Sequence, residues 1–464
     1  MYYRMIPTLA LRGWMDQPWV LLRRPGNSIR ILNKEEFDVL LLCDGETEIH
    51  DDLLTPEMQN VLLRLKRRLL ILESEEPSPI DKNQCYRLYH NQFVQTVFWS
   101  ITGRCNFRCR HCYMDAPKAA LGELSHDEAI DLIDQMAACG VLCVNITGGE
   151  PLVRADFWQL VDRILQHGMA IKQVYTNGWL LSDQLLDEFE KRGLKPEVSV
   201  SFDGVGWHDW MRGFDGAEKA ALDALQRCVS RGFPTNAEMC VHKGNLLSLR
   251  KTVNLMAKIG VRSMQVSSVA STPLWLAHSQ GMEMNDDEYY EAMLEYIPHF
   301  FEDGMPIYLQ IGSMLQLNQG SYEYEVFADG SDDSGNALDK HVCSAIRTVC
   351  YITPEGRLLP CMPMTSSERQ SMFPLIRDIG LQKGLSDSFY MQVIDMRVYE
   401  LFEQNEMCGK CANRLRCGGG CRAEAFLYGD KSLTGCDYRQ CLFYEKGYPE
   451  RIHAVVDAAV ARCR

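Results

Sequence analysis

Between residues 91 and 312, two kinds of apolar pattern alternate along the chain. Short apolar runs indicate strands, and segments with apolar residues three and four positions apart indicate helices. Repeated strand–helix units predict an α/β fold with a parallel sheet, which right-handed crossovers would curl into a partial (β/α)6 TIM-like barrel. The predicted strands are 95–102, 141–147, 171–176, 197–202, 235–241 and 263–267, and the predicted helices include 125–138, 155–167, 182–192 and 219–231.

The segments on either side of this barrel have different patterns. Residues 1–90 predict a small α+β, winged-helix-like module, with strands over 19–23 and 28–32 and helices over 34–42 and 56–70. Helical periodicity fades across residues 313–448, where cysteines become frequent. An amphipathic pattern returns at 449–464 and predicts a C-terminal helix that covers the cysteine-rich domain.

Composition narrows the classes of protein that fit. The net charge of −14 makes a nucleic-acid backbone an unsuitable partner. The sequence has no apolar run of transmembrane length and does not begin like a secretory signal, so we expect no membrane and a cytoplasmic location. In a reducing compartment, 19 cysteines indicate metal binding or catalysis rather than disulfides.

The chemistry is concentrated in a cysteine motif directly after the first predicted strand. Cys105, Cys109 and Cys112 have CxxxCxxC spacing. Three thiolates can hold a [4Fe-4S] cluster and leave one iron without a protein ligand, whereas a structural zinc site, the alternative, would need a fourth ligand. Further polar motifs follow the next strands, where sites of parallel α/β folds lie: TGGEP at 147–151, TNG at 176–178, SFDG at 201–204 and Gln265-Val266.

This ordered set of motifs resembles the signature of the radical S-adenosylmethionine (SAM) enzymes. The resemblance implies that the open iron chelates SAM, whose reductive cleavage gives a 5′-deoxyadenosyl radical that abstracts hydrogen from substrate. It further implies that the GGEP segment receives the methionine amino group, that Ser201 and Arg212 contact the carboxylate, and that Val266 borders the adenine. The implied SAM contacts are His111, Tyr113, Gly148, Gly149, Glu150, Thr176, Asn177, Ser201, Arg212 and Val266.

The cysteines of residues 313–448 resemble the SPASM domain, an iron–sulfur extension of many radical SAM peptide maturases. Zinc is again the alternative, because thiolate sites with this spacing can hold it. The resemblance implies two auxiliary [4Fe-4S] clusters, and so three clusters in all. The first would use Cys343, Cys350, Cys361 and Cys421, and the second Cys408, Cys411, Cys417 and either Cys441, slightly favoured, or Cys436.

The N-terminal segment ILNKEEFDVLLLCDGETEI resembles the leader-binding modules of ribosomal peptide modification, which add a leader peptide as a strand to a sheet edge. A plain stabilising domain is the alternative. Together these resemblances imply a leader-dependent maturase that forms a thioether or carbon–carbon crosslink in a precursor peptide, with flavodoxin or ferredoxin as reductant. A sulfatase-type maturase, a peptide epimerase and a non-catalytic peptide-binding or metal-sensing scaffold are the other hypotheses.

Overall fold

The computed structural model describes residues 1–116, 120–327, 336–366 and 368–463. An eleven-stranded sheet forms the centre of the molecule. The prediction of an α/β fold with a large parallel sheet is confirmed. Within the described part of the chain, no helix is both long enough and apolar enough to cross a bilayer.

The N-terminal region holds two small sheets and two helices. The sheets have the orders β4-β3-β2-β7 and β5-β1-β6. The side chain of Asn33 caps the first helix, and that of Thr55 caps the second. The elements are β1 Tyr2–Met5, β2 Leu9–Trp14, β3 Val20–Arg23, β4 Ser28–Ile31, α1 Lys34–Leu42, β5 Asp44–Glu48, α2 Pro56–Arg67, β6 Ile71–Ser74 and β7 Arg87–Tyr89.

Seven parallel strands, β8 to β14, form the barrel wall in chain order, one more than the sequence predicts. Helices follow the strands and cover the outer face. The elements are β8 Thr96–Ser100, α3 His126–Ala138, β9 Cys143–Thr147, α4 Phe157–Gln166, β10 Ala170–Thr176, α5 Asp183–Lys191, β11 Glu197–Ser201, α6 His208–Arg212, α7 Ala217–Ser230, β12 Thr235–Val241, α8 Leu249–Ile259, β13 Ser263–Ser268, α9 Pro273–His278, α10 Asp286–Glu302 and β14 Tyr308–Ile311.

The two faces of this sheet differ in polarity. Outward-facing positions such as Val97, Val200 and Met239 are buried in the main apolar core. Polar side chains on neighbouring strands hydrogen-bond to one another across the other face: Gln173 Nε2 donates to Ser199 Oγ at 2.7 Å, and Asn236 Nδ2 donates to the same oxygen at 3.1 Å. The barrel interior therefore carries hydrogen-bonded polar side chains, whereas the outer face packs into the apolar core.

The central sheet continues beyond residue 312, where the sequence pattern ends the barrel. Two antiparallel strands extend one edge, and β17 pairs in parallel with β8 at the other. Strand β17, with the sequence VCYI, has only four residues and lies in a cysteine-rich segment, so the sequence pattern does not predict its pairing with β8. The strands are β15 Leu315–Leu317, β16 Tyr324–Val326, β17 Val349–Ile352 and β18 Leu358–Leu359.

The C-terminal region is otherwise built of short helices and ends in a long one. The final helix packs on the barrel helix α10, where Tyr448 and Arg451 bind Glu291, rather than mainly on the cysteine-rich region as expected. The helices are α11 Ile376–Ile379, α12 Leu381–Gly384, α13 Phe389–Asp395, α14 Val398–Gln404, α15 Glu406–Lys410, α16 Arg414–Cys417, α17 Arg422–Leu427, α18 Tyr438–Glu445 and α19 Tyr448–Cys463.

Candidate active site

A cavity of about 430 Å³ opens at the carboxyl ends of the barrel strands. This volume is in the range of small-molecule and cofactor sites. All three CxxxCxxC cysteines line it, and so do Cys350 and Cys361 from the C-terminal region. Eight of the ten expected SAM contacts line it as well: His111, Tyr113, Gly148, Gly149, Thr176, Asn177, Ser201 and Arg212.

The loop after β8 directs its thiols at this cavity and surrounds them with donors. The backbone N–H of Phe107 donates to Cys105 Sγ at 3.4 Å, and that of Ala116 donates to Cys112 Sγ at 3.3 Å. The guanidinium of Arg212 lies 3.7 Å from Cys109 Sγ. Burial raises the pKa of Cys105 and Cys109, and these donors oppose the rise. Donors of this kind stabilise thiolates, so the three cysteines fit an iron–sulfur cluster by the chemistry around them.

The TGGEP segment lies very close to the cysteine loop. A Cβ on Gly149 would stand 2.2 Å from the Arg104 carbonyl oxygen, so only glycine allows this approach. The next backbone N–H, that of Glu150, donates to the same oxygen at 2.9 Å. The glycine pair therefore brings strand β9 against the cysteine loop and leaves backbone facing the cavity.

Glu150 does not line the cavity, although the sequence predicts it as a SAM contact. Its carboxylate accepts hydrogen bonds from Thr176 Oγ1 at 2.9 Å, from the Asn177 N–H at 2.7 Å and from the Leu152 N–H at 3.2 Å. Burial raises the pKa of Glu150 to about 7, and these hydrogen bonds oppose the rise. In this structure Glu150 joins the TGGEP and TNG segments.

Val266 is the second expected contact that lies elsewhere. Its side chain is fully buried in the outer apolar core, and the neighbouring Gln265 lines the cavity instead. Successive residues of a strand point to opposite faces, so only one of the two can face inward. This alternation was available in the sequence and identifies Gln265 as the inward residue.

A buried ion pair holds Arg212 at the cavity. Asp203 Oδ2 lies 2.6 Å from Arg212 Nε, and Asp203 is fully buried. Burial alone would raise the pKa of the Asp203 carboxyl, but the charge of Arg212 and a hydrogen bond with His208 hold it well below its usual range. Burial would likewise lower the pKa of Arg212, yet Asp203 and Cys109 keep it raised. Arg212 is thus a fixed cation beside the cysteines, which suits a carboxylate ligand.

The first auxiliary set is gathered only in part. Besides burial, the thiols of Cys421 and Cys343 raise the pKa of Cys361, so these three lie together. Burial also raises the pKa of Cys350 on β17, and the thiol that adds to this rise is that of Cys139 at the end of α3. Cys350 therefore stays a predicted ligand whose clearest thiol neighbour belongs to the barrel.

The second auxiliary set converges on a small cavity of about 90 Å³. Both candidates for the fourth ligand reach it. Cys436 Sγ lies 3.7 Å from Cys408 Sγ, and the pKa of Cys441 is raised by burial and by the neighbouring thiols of Cys417 and Cys436. Five thiols thus meet where four are needed. The five cysteines are Cys408, Cys411, Cys417, Cys436 and Cys441.

Cys436→Ala and Cys441→Ala should differ in their iron content, because a [4Fe-4S] cluster in this pocket uses only four thiolates. One variant should lose about a third of the iron of a three-cluster enzyme, and the other should keep all of it. Iron and sulfide analysis after anaerobic reconstitution measures this. Equal iron in both variants and the unchanged protein would contradict a terminal cysteine ligand.

Comparison with known proteins identifies the domain around the first cysteine motif. The radical SAM superfamily matches residues 99–256. An AdoMet-dependent heme synthase from Methanosarcina barkeri is 25% identical over 345 residues, which cover 71% of this chain and 91% of that protein. Mycofactocin maturase MftC from Mycobacterium tuberculosis is 27% identical over 337 residues, which cover 71% of this chain and 79% of that protein.

Two solved structures share the fold over most of the chain. Streptococcus suis SuiB bound to precursor peptide SuiA has a TM-score of 0.65 at 14% identity, covering 95% of this chain and 99% of that one. The anSMEcpe structure with bound AdoMet and Cp18Cys peptide has a TM-score of 0.56 at 16% identity, covering 79% and 99%. At these identities the likeness shows the fold alone.

Proposed function

This chain carries a radical SAM domain, and from that premise we propose that it is a peptide maturase that forms a thioether or carbon–carbon crosslink in a ribosomally made precursor. One observation carries the proposal: a single cavity is lined both by the CxxxCxxC thiols and by Cys361 of the cysteine-rich region. Hydrogen abstraction and removal of the surplus electron can therefore occur around one substrate. The names of MftC and of the SuiB complex, a maturase and an enzyme with its precursor peptide, support the choice of substrate.

The residues at the cavity would have distinct roles. Cys105, Cys109 and Cys112 would hold the [4Fe-4S] cluster, and Arg212 would bind the SAM carboxylate through its guanidinium fork. When bound, the cluster and SAM supply a 5′-deoxyadenosyl radical. The chain itself orients the peptide against that centre and excludes water from it.

The N-terminal region offers an edge for a leader peptide. Strand β4 pairs with β3 on one side and forms the end of its sheet. Ile31, its last residue, is 61% exposed. An extended peptide added here would gain main-chain hydrogen bonds and a contact with this side chain, as in other cases of strand addition.

The mass of a precursor peptide after reaction tests the proposed function. Anaerobic incubation with the reconstituted enzyme, SAM and a reductant, either dithionite or flavodoxin or ferredoxin, should remove two hydrogen atoms from the peptide and yield 5′-deoxyadenosine. Fragmentation should locate a bond between two residues. The same core peptide without its leader should react far more slowly, because it lacks the strand that binds the β4 edge.

The same assay separates the other peptide hypotheses. Loss of two hydrogens confined to one side chain would indicate a sulfatase-type oxidation. An unchanged mass in H₂O with deuterium uptake in D₂O would indicate an epimerase. If no 5′-deoxyadenosine forms although the protein has its full iron content, this result would contradict an enzymatic function and favour a binding scaffold.

A tetrapyrrole enzyme is the second candidate, because the heme synthase of Methanosarcina barkeri matches 71% of this chain. This candidate leaves residues 1–90 without a role. Incubation with an iron porphyrin substrate in place of the peptide tests it. Formation of heme coupled to 5′-deoxyadenosine would favour the tetrapyrrole reaction and contradict the peptide maturase.

A further inference from the structure

Glu238 is a carboxylate in the cavity wall to which the expected SAM contacts give no role. It lies in the middle of β12, opposite Ser201 on β11 and Gln265 on β13. All three of these side chains line the cavity. Glu238 therefore faces the space beside the cysteine loop rather than the outer core.

Glu238 has little to stabilise its charge. Among the described residues, the one side-chain hydrogen bond to its carboxylate comes from Asn236 Nδ2, at a long 3.4 Å. Glu150 offers a comparison, because it is fully buried and accepts three hydrogen bonds, whereas Glu238 is half-buried in the cavity wall. A carboxylate that is partly withdrawn from water and lacks such partners is less stable in its charged form, and such groups are concentrated at functional sites.

The charged and titratable groups around Glu238 leave it poised near neutral pH. Burial raises the pKa of Glu238 to about 7; Arg212 opposes the rise, and the carboxylates of Glu197 and Asp203 add to it. Two phenols, those of Tyr113 and Tyr175, and the thiol of Cys240 on the same strand also interact with it, since the Glu238 charge raises the pKa of all three. A general base works best when its pKa is near the working pH.

We propose that Glu238 is the general base that takes the proton released when the crosslink forms. The inference rests on the proposed function. In that reaction a C–H bond and an X–H bond of the peptide break and a C–X bond forms, where X is the thiol sulfur or the attacking carbon. The hydrogen atom from carbon would end in 5′-deoxyadenosine, an auxiliary cluster would be the oxidant that accepts the surplus electron, and the Glu238 carboxylate would take the proton from X.

The neighbours of Glu238 suit this role. Asn236, which holds one carboxylate oxygen, also donates to Ser199 Oγ at 3.1 Å and is thereby fixed itself. Arg212 forms its ion pair with Asp203 and not with Glu238. The other carboxylate oxygen of Glu238 is left without a protein partner among the described residues and is available to substrate.

Glu238→Gln tests the proposal, with Glu197→Gln as the matched control. Glu197 is the first residue of the barrel strand β11. Its carboxylate accepts a hydrogen bond from Gln173 Nε2 at 2.9 Å and does not line the cavity. With a precursor peptide deuterated at the abstracted position, Glu238→Gln should still transfer deuterium to 5′-deoxyadenosine. Its crosslinked product should fall about 100-fold or more, as expected when a general base is lost. Glu197→Gln should keep product formation within a few-fold.

The pH profile and SAM binding separate this role from a merely structural one. Since the base must be ionised, product formation in the unchanged enzyme should rise with pH through about 7. That limb should persist in Glu197→Gln, at somewhat lower pH because the Glu197 charge raises the pKa of Glu238, and it should disappear in Glu238→Gln. Bound SAM, followed by the change it causes in the cluster EPR spectrum, should be unaltered in Glu238→Gln.

Two results would overturn the assignment. Crosslinking by Glu238→Gln at the rate of the unchanged enzyme would place the base elsewhere while leaving the maturase function intact. If Glu238→Gln lost both SAM binding and deuterium transfer, Glu238 would instead be a cofactor contact. If Glu238→Gln does not fold, Glu238→Asp decides the matter, because a shortened base should shift the pH limb and slow product formation without slowing deuterium transfer, and an unchanged profile would refute the role.

Discussion

Replacing Cys109 with alanine should reduce SAM cleavage to background. The thiol lines the cavity and lies 3.7 Å from the Arg212 guanidinium, and two remaining thiolates are too few for a site-differentiated [4Fe-4S] cluster. The measurement is 5′-deoxyadenosine formed per enzyme in anaerobic reactions with dithionite. Iron analysis should show that only the cluster of the CxxxCxxC loop is lost.

Cys228→Ala is the matched control for this variant. Cys228 is fully buried in helix α7, within the apolar core and away from the cavity, so its loss should leave SAM cleavage and iron content unchanged. Sustained 5′-deoxyadenosine formation by Cys109→Ala would show that the cluster is held elsewhere. Loss of all iron from that variant would instead show that the three sites do not assemble independently.

The barrel strands could be predicted well because each lies between helices and carries apolar residues at its outward-facing positions. Strand β12 matches its predicted range residue for residue, and the other five predicted strands are shifted by no more than two residues at either end. The motifs then fall at strand ends because a parallel sheet brings all its carboxyl ends to one side. Eight of the ten contacts that were predicted from the sequence alone therefore line the cavity.

The elements that the sequence pattern missed depend on contacts between distant residues. Strand β2 contains Arg12, whose charge argues against a buried strand. In the fold its guanidinium is buried and donates to the carbonyls of Cys85 and Asn83. Strand β5, DGETE, has no apolar signal at all and is defined by pairing with β1.

One predicted contact, Val266, does not line the cavity because motif order rather than strand geometry selected it. Counting alternate positions along 263–268 places Gln265 inward and Val266 outward, and the same count along β12 places Asn236 and Glu238 inward. Polar residues at alternate positions of a barrel strand are thus a usable signal. The positions of Cys350 beside β8 and of two candidate cysteines in one pocket depend on tertiary packing, which spacing does not encode.

Asp203→Asn should cause the largest loss of stability among single changes at the site. It leaves the guanidinium of Arg212 in a buried position without its counter-charge, and breaking a buried pair in this way costs about 3–5 kcal/mol. We expect the Tm of the reconstituted protein to fall by roughly 5 °C or more in anaerobic calorimetry. The hydrogen bond that Asp203 Oδ1 accepts from the Cys240 N–H is retained by asparagine, so the effect reports mainly the lost charge.

The pH dependence of this difference follows from the lowered pKa of Asp203. A carboxyl whose pKa is lower in the folded state stabilises the protein above its unfolded value of about 3.9, and that contribution is lost as pH falls toward the folded value. The gap in Tm between the unchanged protein and Asp203→Asn should therefore be constant between pH 5 and 8, and narrow below about pH 4.

Asp223→Asn provides the control, because Asp223 pairs with Lys219 on the exposed face of α7. Exposed pairs of this kind contribute about 0–1 kcal/mol, so this change should move the Tm by little at any pH. If Asp203→Asn were as stable as Asp223→Asn, then Arg212 would not depend on Asp203 for its charge, and the fixed cation assigned to the SAM carboxylate would have to be held by other groups.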